Sequence, residues 1–211
     1  MTIAVVDYGT GNLRSVIRAT QAAAQRLGID PDRIVRATEP EQVRSAHRVI
    51  FPGQGAMPDC MAGLLRSGLR EALEESLRSK PFLGVCVGEQ MLLESSEEGD
   101  TPGLGLFSGR VVRFPNDAGL KVPHMGWNRV TWTRSHPVMK GLHAPSDRWF
   151  YFVHSYYPRL QNPQESLAES DYGLTFTCAL ARDNIVATQF HPEKSAASGL
   201  ALIENFLSWT P

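Results

Sequence analysis

The sequence predicts an α/β fold: a mainly parallel sheet flanked by helices, with a smaller antiparallel section appended to it. In the first half of the chain, short β-type runs alternate with longer helical patterns, which is typical of a parallel sheet covered by helices on both faces. In the second half, short β-type runs follow one another with turn residues between them. No repeat, low-complexity tract or linker interrupts the 211 residues, so we expect residues 1–211 to form one domain.

Each strand predicted in the first half is a short apolar or β-branched run that ends in glycine, proline or polar residues. These runs predict strands at residues 2–6, 33–36, 47–51 and 82–85, with Pro52-Gly53 ending the third. Apolar residues near helical spacing predict helices between them, at residues 13–27, 39–46 and 57–79. Gly28 is expected to end the first of these helices, and Gly68 to break the last.

The second half predicts strands at residues 104–114, 128–133, 149–154, 174–181 and 185–190. Turn signals separate these strands, including Pro115-Asn116-Asp117 and Arg182-Asp183-Asn184. The chain closes with a predicted amphipathic helix at residues 198–209, whose apolar stripe holds Leu200, Ile203, Phe206 and Leu207.

Composition limits the classes of partner. With 21 basic and 22 acidic residues the formal net charge is −1, so we expect no nucleic-acid partner and no anionic membrane surface. No apolar run approaches the roughly 18 residues of a membrane span. The cysteines, Cys60, Cys86 and Cys178, match no metal-binding or C-x-x-C spacing, and so few thiols fit a reducing cytoplasm. Cys60 and Cys178 are interpreted as small buried apolar residues.

Cys86 ends the fourth predicted strand, in the frame Gly84-Val85-Cys86-Val87-Gly88. A helix-like stretch at residues 89–94 follows, which predicts a sharp strand-to-helix turn with the geometry of a nucleophile elbow. Small flanking residues relieve crowding at such a turn, and a helix beginning there would favour the thiolate. A lone cysteine is more often a buried core thiol, so the glycine frame is what favours a function.

A base and an orienting carboxylate occur together in His191-Pro192-Glu193. Pro192 keeps His191 extended, and in an extended segment His191 and Glu193 point to the same face. Glu193 could then bond one ring nitrogen while the other nitrogen faces the thiol. With Cys86, these residues predict a Cys-His-Glu site for hydrolysis or acyl transfer.

The segment Pro52-Gly53-Gln54-Gly55 follows the third predicted strand. It fits a plain strand-to-helix turn, or a loop whose backbone N–H groups approach a developing oxyanion. A phosphate-binding loop is a weaker interpretation, because neither G-K-[ST] nor G-x-G-x-x-G occurs there. The residues His124, His154, Asp7 and Asp59 show no metal-ligand spacing and are interpreted as structural.

The cysteine and His-Pro-Glu motifs, together with Gln90 and Leu92-Leu93, resemble those of the class I (triad-type) glutamine amidotransferases. Residues 6–13, 51–56, 121–128 and 151–157 are further similar to the glutaminase subunits of imidazole glycerol phosphate synthase. These segments extend across nearly the whole chain. The resemblance implies a flavodoxin-like fold of the class I glutamine amidotransferase type.

The resemblance also implies an activity, a partner and residue roles. Such a subunit hydrolyses L-glutamine and passes ammonia to a (β/α)8-barrel cyclase subunit in a heterodimer of histidine biosynthesis, and no cofactor or metal is implied. The implied catalytic residues are Cys86, His191 and Glu193, and the implied oxyanion hole uses Val87 with Gly53, Gln54 and Gly55. Glutamine would be held by Gln90, Ser155 and Tyr156, and the cyclase would be faced by Asn12, Trp127, Tyr151 and Lys194.

Two positions depart from the family pattern. Gln54 stands where Val or Ile is usual, and its side chain is expected to help hold the oxyanion loop at rest. Glu89 stands where Met is usual, and a carboxylate in the first turn after Cys86 is expected to oppose formation of the thiolate.

Three alternatives remain open. The chain could serve another class I amidotransferase, such as the anthranilate or pyridoxal phosphate type, although residues 121–128 argue against this. It could be a non-catalytic regulatory subunit on the same fold, although the complete Cys-His-Glu set argues against that. It could also be a stand-alone cysteine hydrolase or peptidase that needs no partner.

Overall fold

A computed structural model of the protein describes residues 1–115 and 119–211, apart from the side chain of Asp147. The turn predicted at Asn116 and Asp117 lies outside the described residues. Among the residues that are described, no helix has the length and apolar character needed to cross a membrane.

The strands form one large and one small sheet. In chain order they are β1 (Ile3–Val6), β2 (Ile34–Ala37), β3 (Arg48–Gly53), β4 (Phe82–Cys86), β5 (Leu93–Ser96), β6 (Thr101–Pro102), β7 (Phe107–Arg113), β8 (His124–Trp132), β9 (Trp149–His154), β10 (Tyr156–Leu160), β11 (Ser166–Asp171), β12 (Thr175–Arg182) and β13 (Ile185–Thr188). The large sheet has the order β2-β1-β3-β4-β13-β12-β11-β8-β9, and the small one β10-β7-β5-β6.

The α-helices are α1 (Leu13–Arg26), α2 (Pro40–Ser45), α3 (Met57–Ser67), α4 (Arg70–Leu77), α5 (Val87–Gln90) and α6 (Ala196–Ser208). Gly68 ends α3 in a left-handed conformation, with φ 72°, so the break predicted there is confirmed. The helices α1 and α6 pack against each other and against the sheet, where Val16, Ile50, Leu83 and Ile203 meet. This packing buries the apolar stripe predicted for the last helix.

The predicted division into a parallel part and an antiparallel part is confirmed. The strands β1 to β4 pair in parallel, and β8, β9, β11 and β12 pair antiparallel. The exception is β13, which pairs antiparallel with β12 and parallel with β4, so that Thr188 lies opposite Val85. Because parallel strands end at the same edge, the chain leaves β13 beside the point at which it leaves β4. This brings His191 to Cys86.

The glycines around Cys86 are required by close packing between backbone segments. A Cβ on Gly88 would overlap the carbonyl oxygen of Phe51. A Cβ on Gly84 would lie 2.9 Å from the Cβ of Ala187, and one on Gly53 would lie 2.6 Å from the Gly88 nitrogen. Gly84 and Gly88 therefore flank Cys86 for a steric reason, because β3, β4 and α5 approach too closely to leave room for side chains there.

Several predicted boundaries were wrong. The helix expected at residues 89–94 ends at Gln90, and Leu93 already belongs to β5, because this segment starts the small sheet. Pro52-Gly53 lies within β3 and does not end it. The sequence patterns also missed β6, β10 and β11.

Candidate active site

Cys86 is the last residue of β4 and directly precedes α5. Its backbone has φ 57° and ψ −114°, and a positive φ is uncommon for any residue but glycine. Such a conformation persists only where the surrounding structure enforces it, and it is concentrated at functional sites. The predicted sharp turn at the thiol is therefore present.

His191 follows β13, and Glu193 lies in a short 3-10 turn rather than in the extended segment that we predicted. His191 itself is extended, with φ −100° and ψ 97°, as a residue before proline should be. Its Nδ1 lies 2.8 Å from Oε1 of Glu193, and both side chains are almost fully buried. The other ring nitrogen interacts electrostatically with the Cys86 sulfur but makes no well-formed hydrogen bond within the described part of the chain.

The charges around His191 favour its protonated form. Burial of the ring acts to lower the pKa of His191, but the Cys86 thiolate and the Glu193 carboxylate outweigh burial and raise that pKa to about 10. At neutral pH the imidazolium form of His191 is therefore favoured beside the Cys86 sulfur. Such a pair places a nucleophile and a proton donor at one point.

Cys86 and His191 line one cavity of about 300 Å³. Other residues selected from the sequence line it as well: Gln54, Gly55, Val87, Gln90, Ser155 and Tyr156. Gly53 does not line it, and Glu193 lies behind His191. The sequence analysis gave no site role to the remaining lining residues, Glu98, Pro123, Val153 and His154. The volume suits a small polar molecule.

The glycine loop begins beside the elbow. Gly53 is the register partner of Cys86 in the β3–β4 ladder. Val87 is the first residue of α5, so its N–H has no acceptor within that helix. Gly55 has φ 93°, a conformation that glycine adopts at little cost. The loop and the elbow thus bring Gly55 and Val87 to the same cavity.

The loop is held through its backbone and not through the Gln54 side chain. That side chain is exposed and makes no hydrogen bond with any described residue, contrary to the expectation from the sequence. Instead, the Cys60 thiol donates to the Gln54 carbonyl at 3.3 Å. Cys60 also accepts from Oγ1 of Thr10 at 3.6 Å. Cys60 is therefore a hydrogen-bonded residue and not only a small apolar one.

Glu89 lies in the interior of the protein. It is completely buried, and neither carboxylate oxygen has a hydrogen-bond partner among the described residues. Burial, with a smaller contribution from the charge of Cys86, raises the pKa of Glu89 well above its usual value. Burial therefore favours the neutral form of Glu89 and lessens the opposition to the thiolate that we expected, while the charge interaction between Glu89 and Cys86 keeps the expected sign. The helix that begins directly after the thiol, α5, has only 4 residues, so it is one turn long and shorter than the helix we expected there.

Gln189, which sequence reasoning missed, lies against the sulfur. Its Nε2 is 3.8 Å from Sγ of Cys86, and its Oε1 accepts from Nε2 of Gln90 at 2.9 Å. Gln90 also donates to the Tyr156 carbonyl at 3.2 Å. A signal was available in the sequence: Gln189 lies in the strand predicted at residues 185–190, two positions before His191, and alternation along an extended chain would place both side chains on the same side.

A pair of histidines extends this network away from the cavity. His154 Nδ1 lies 2.8 Å from the Tyr156 carbonyl, and His154 Nε2 lies 3.0 Å from Nδ1 of His124. Nδ2 of Asn128 lies 3.2 Å from the remaining nitrogen of His124. A carbonyl only accepts, so His154 carries its proton on Nδ1, and its Nε2 accepts from His124. This arrangement needs both rings neutral, and burial lowers the pKa of His124 to about 4 and that of His154 to about 3.

These two histidines predict a loss of stability in mild acid. Their pKa values, about 4 and about 3 in the folded chain, lie below the unfolded value near 6.5, so below pH 6.5 the unfolded chain binds more protons. The free energy of unfolding should fall by up to ~1.4 kcal/mol per pH unit for each ring. We expect the free energy of unfolding, measured by urea titration at several pH values between 6.5 and 5, to depend on pH with a slope smaller by about that amount in His154→Asn. An unchanged slope would show that His154 binds protons equally in both states.

Trp127, Tyr151 and Lys194 meet on an exposed face of β8 and β9. Trp127 lies opposite Tyr151, with ring centroids 6.3 Å apart, and Nζ of Lys194 lies 5.8 Å from the centre of the Tyr151 ring. Met125, on the same side of β8, is 61% exposed, and Trp127 is 51% exposed. Asn12 is not part of this cluster and lies at the start of α1, lining a second cavity. The structure thus brings together three of the four residues expected to face a partner.

Comparison with known proteins gives this site a family. The model of the glutamine amidotransferase class-I family matches residues 4–209. The chain is 56% identical to imidazole glycerol phosphate synthase subunit HisH of Chromobacterium violaceum, over 99% of this chain and 98% of that one. It is 52% identical to the HisH subunit of Neisseria meningitidis serogroup A, over 99% and 100% of the two chains.

Solved structures agree on the fold. A crystal structure of a glutamine amidotransferase superposes with a TM-score of 0.67 at 20% identity, covering 99% of this chain and 98% of that chain. The glutaminase domain of Trypanosoma brucei CTPS with bound acivicin gives 0.65 at 16% identity, covering 100% and 95%. Identities this low concern the fold alone.

The chain belongs to the class-I glutamine amidotransferases, whose fold it shares from β1 to the end of α6. Relatives that are more than half identical over their full length define its place within that class. It belongs to the HisH family, the glutaminase subunits of imidazole glycerol phosphate synthase in histidine biosynthesis.

Proposed function

We propose that the chain hydrolyses L-glutamine with Cys86 as nucleophile, His191 as acid and base, and Glu193 as the group that orients His191. The observation that carries this proposal is the buried Cys86–His191–Glu193 arrangement at one wall of a small cavity. The positive φ of Cys86 supports it independently, and the pKa of His191, raised by Cys86 and Glu193, agrees with it. We propose that residues 1–211 form one catalytic domain.

In the first step the Cys86 thiolate attacks the side-chain carboxamide carbon of glutamine. The resulting oxyanion is held by the Val87 N–H and by an N–H of the Gly53-Gln54-Gly55 loop. The His191 imidazolium gives its proton to the nitrogen that leaves, and ammonia departs from a γ-glutamyl thioester. Gln90, Ser155 and Tyr156, which line the cavity, hold the amino-acid end of the substrate.

In the second step His191, now neutral, takes a proton from water, and the resulting hydroxide attacks the thioester carbonyl. The tetrahedral intermediate collapses with loss of the Cys86 thiolate, so glutamate leaves and the resting pair is restored. Glu193 keeps the ring orientation through both proton transfers and stabilises the imidazolium.

We further propose that the partner is the (β/α)8-barrel cyclase subunit, and that the heterodimer acts in the cytoplasm. The exposed face formed by Met125, Trp127 and Tyr151 supports a protein interface, because large exposed apolar side chains that lie together are typical of one. Lys194 adds a positive charge to that face. Asn12 would contribute from the start of α1.

The test is a glutaminase assay of the purified chain, alone and with the cognate cyclase subunit and its ribonucleotide ligand. We expect one glutamate per imidazole glycerol phosphate formed. The matched control is the synthase subunit of an anthranilate synthase, which should neither bind the chain nor raise its glutaminase rate. Glutamine hydrolysis that depends on that control partner would overturn the assignment of the cyclase.

A further inference from the structure

We propose that Gln189 is a positioning residue for the Cys86 thiolate, donating an amide N–H to Sγ while a fixed set of hydrogen bonds holds the amide in place. The inference deepens the proposed function and rests on it, since it takes Cys86 to be the nucleophile. Gln189 is completely buried, and its Nε2 lies 3.8 Å from the sulfur.

The orientation of the Gln189 amide is fixed by its neighbours. The Tyr156 carbonyl can only accept, so the atom of Gln90 that faces it, 3.2 Å away, is its NH2 group. The same NH2 group donates to Gln189, which must therefore present its oxygen to Gln90, at 2.9 Å. The Gln189 NH2 group is then the one that faces Cys86.

The Tyr156 carbonyl, which determines the orientation of both glutamine amides, is itself fixed by two donors. The Tyr156 carbonyl accepts from His154 as well as from Gln90. His154 is held by His124, and His124 by Asn128, each through a nitrogen whose role the preceding partner determines. A flip of the Gln189 amide would place an NH2 group against an NH2 group, which buried side chains avoid.

The chemical effect follows from charge. A hydrogen bond to an ionised acceptor is stronger than one to a neutral acceptor, so the N–H of Gln189 favours the thiolate over the thiol. It also fixes the direction of the sulfur relative to His191 on its other side. Gln189 contacts the Cys86 sulfur but takes no proton, so it orients and stabilises the thiolate and transfers nothing.

The test compares Gln189→Met with Thr188→Val. Met keeps the length of the side chain but removes the donor to Cys86. Thr188→Val removes a buried hydrogen bond of equal depth, from Oγ1 to the Phe190 carbonyl, on the other side of the same segment. Alkylation of Cys86 by iodoacetamide is followed against pH, with Cys86→Ala as the blank.

We expect the pH midpoint of alkylation to rise by about one unit in Gln189→Met, and to move by less than about 0.3 unit in Thr188→Val. The groups that interact with Cys86 (His191, Glu89, Tyr8 and Cys60) are unaltered in both variants. In the heterodimer, kcat for glutamine should fall about 10-fold in Gln189→Met, with a smaller change in KM. An unchanged midpoint in Gln189→Met would overturn the proposal.

A second measurement needs no variant at Gln189. In the unmutated chain labelled with 15N-glutamine, the side-chain NH2 signal of Gln189 should shift with pH at the midpoint of Cys86 alkylation, and it should not do so in Cys86→Ser. A Gln189 signal that does not shift at that midpoint would also overturn the proposal. Neither the alkylation nor the NMR titration needs glutamine as a substrate or a partner subunit. A chain that alkylates as expected but never hydrolyses glutamine would therefore refute the proposed function alone.

Discussion

Cys86→Ala is expected to abolish glutamine hydrolysis and to leave the fold intact. The substitution removes the proposed nucleophile, and loss of the nucleophile in a catalytic triad costs on the order of 10⁶-fold in kcat. Alanine is smaller than cysteine and needs no new space at this buried position. Glutamate release by the heterodimer, measured before and after the change, gives the effect directly.

The same heterodimer provides two controls. With ammonium salts as the nitrogen source, cyclase product should still form, because only the source of ammonia has been lost. Cys178→Ala makes the same chemical change at a thiol that is equally buried but does not line the cavity, and it should keep most of the activity. Glutaminase activity that survives in Cys86→Ala would refute the assignment of Cys86 as nucleophile and would favour a non-catalytic interpretation of the glycine-framed cysteine motif.

The sequence predicted the architecture well wherever the signal was local. Strands of the parallel part are continuous apolar runs with glycine or proline near their ends, and β1, β3 and β4 were found within one or two residues. The segment after Cys86 was misread because Met91, Leu92 and Leu93 fit a helix as well as a strand, and periodicity cannot separate the two over so short a run. Only pairing of Leu93 with Phe107 in the small sheet decides it.

The long-range part of the site was beyond local signals. That β13 would insert beside β4, and so carry His191 to Cys86, depends on the order of the whole sheet. The burial of Glu89 was missed for a similar reason, since its position in the chain gives no sign of it. Burial raises the pKa of the carboxyl group, and the depth at which the group lies is a property of the fold.

Activation by the partner is the second large effect that we expect. The free chain should hydrolyse glutamine at least about 10²-fold more slowly than the heterodimer with its ribonucleotide ligand bound, because one oxyanion donor is worth about 10²–10³ in rate. In the proposed mechanism that donor is on the Gly53-Gln54-Gly55 loop, where Gly55 has a positive φ and allows a peptide to flip. A fast free chain would release ammonia into water, where it is protonated and lost to synthesis. Equal initial rates for the free chain and the complex would refute this gating.

The contact between Cys60 and the Gln54 carbonyl gives the gating a test within this chain. That hydrogen bond, 3.3 Å long, needs no partner, so we expect it to stabilise the loop arrangement of the free subunit. A single neutral hydrogen bond contributes about 0.5–1.5 kcal/mol, so Cys60→Ala should raise the rate of the free chain about 2- to 10-fold. The rate of the complex should change little, and the stimulation factor should fall accordingly. Cys60→Ser keeps a donor at the same position and should behave more like the unmutated chain. If Cys60→Ala slows the free chain instead, the bond stabilises the competent loop, and the resting state must be held elsewhere.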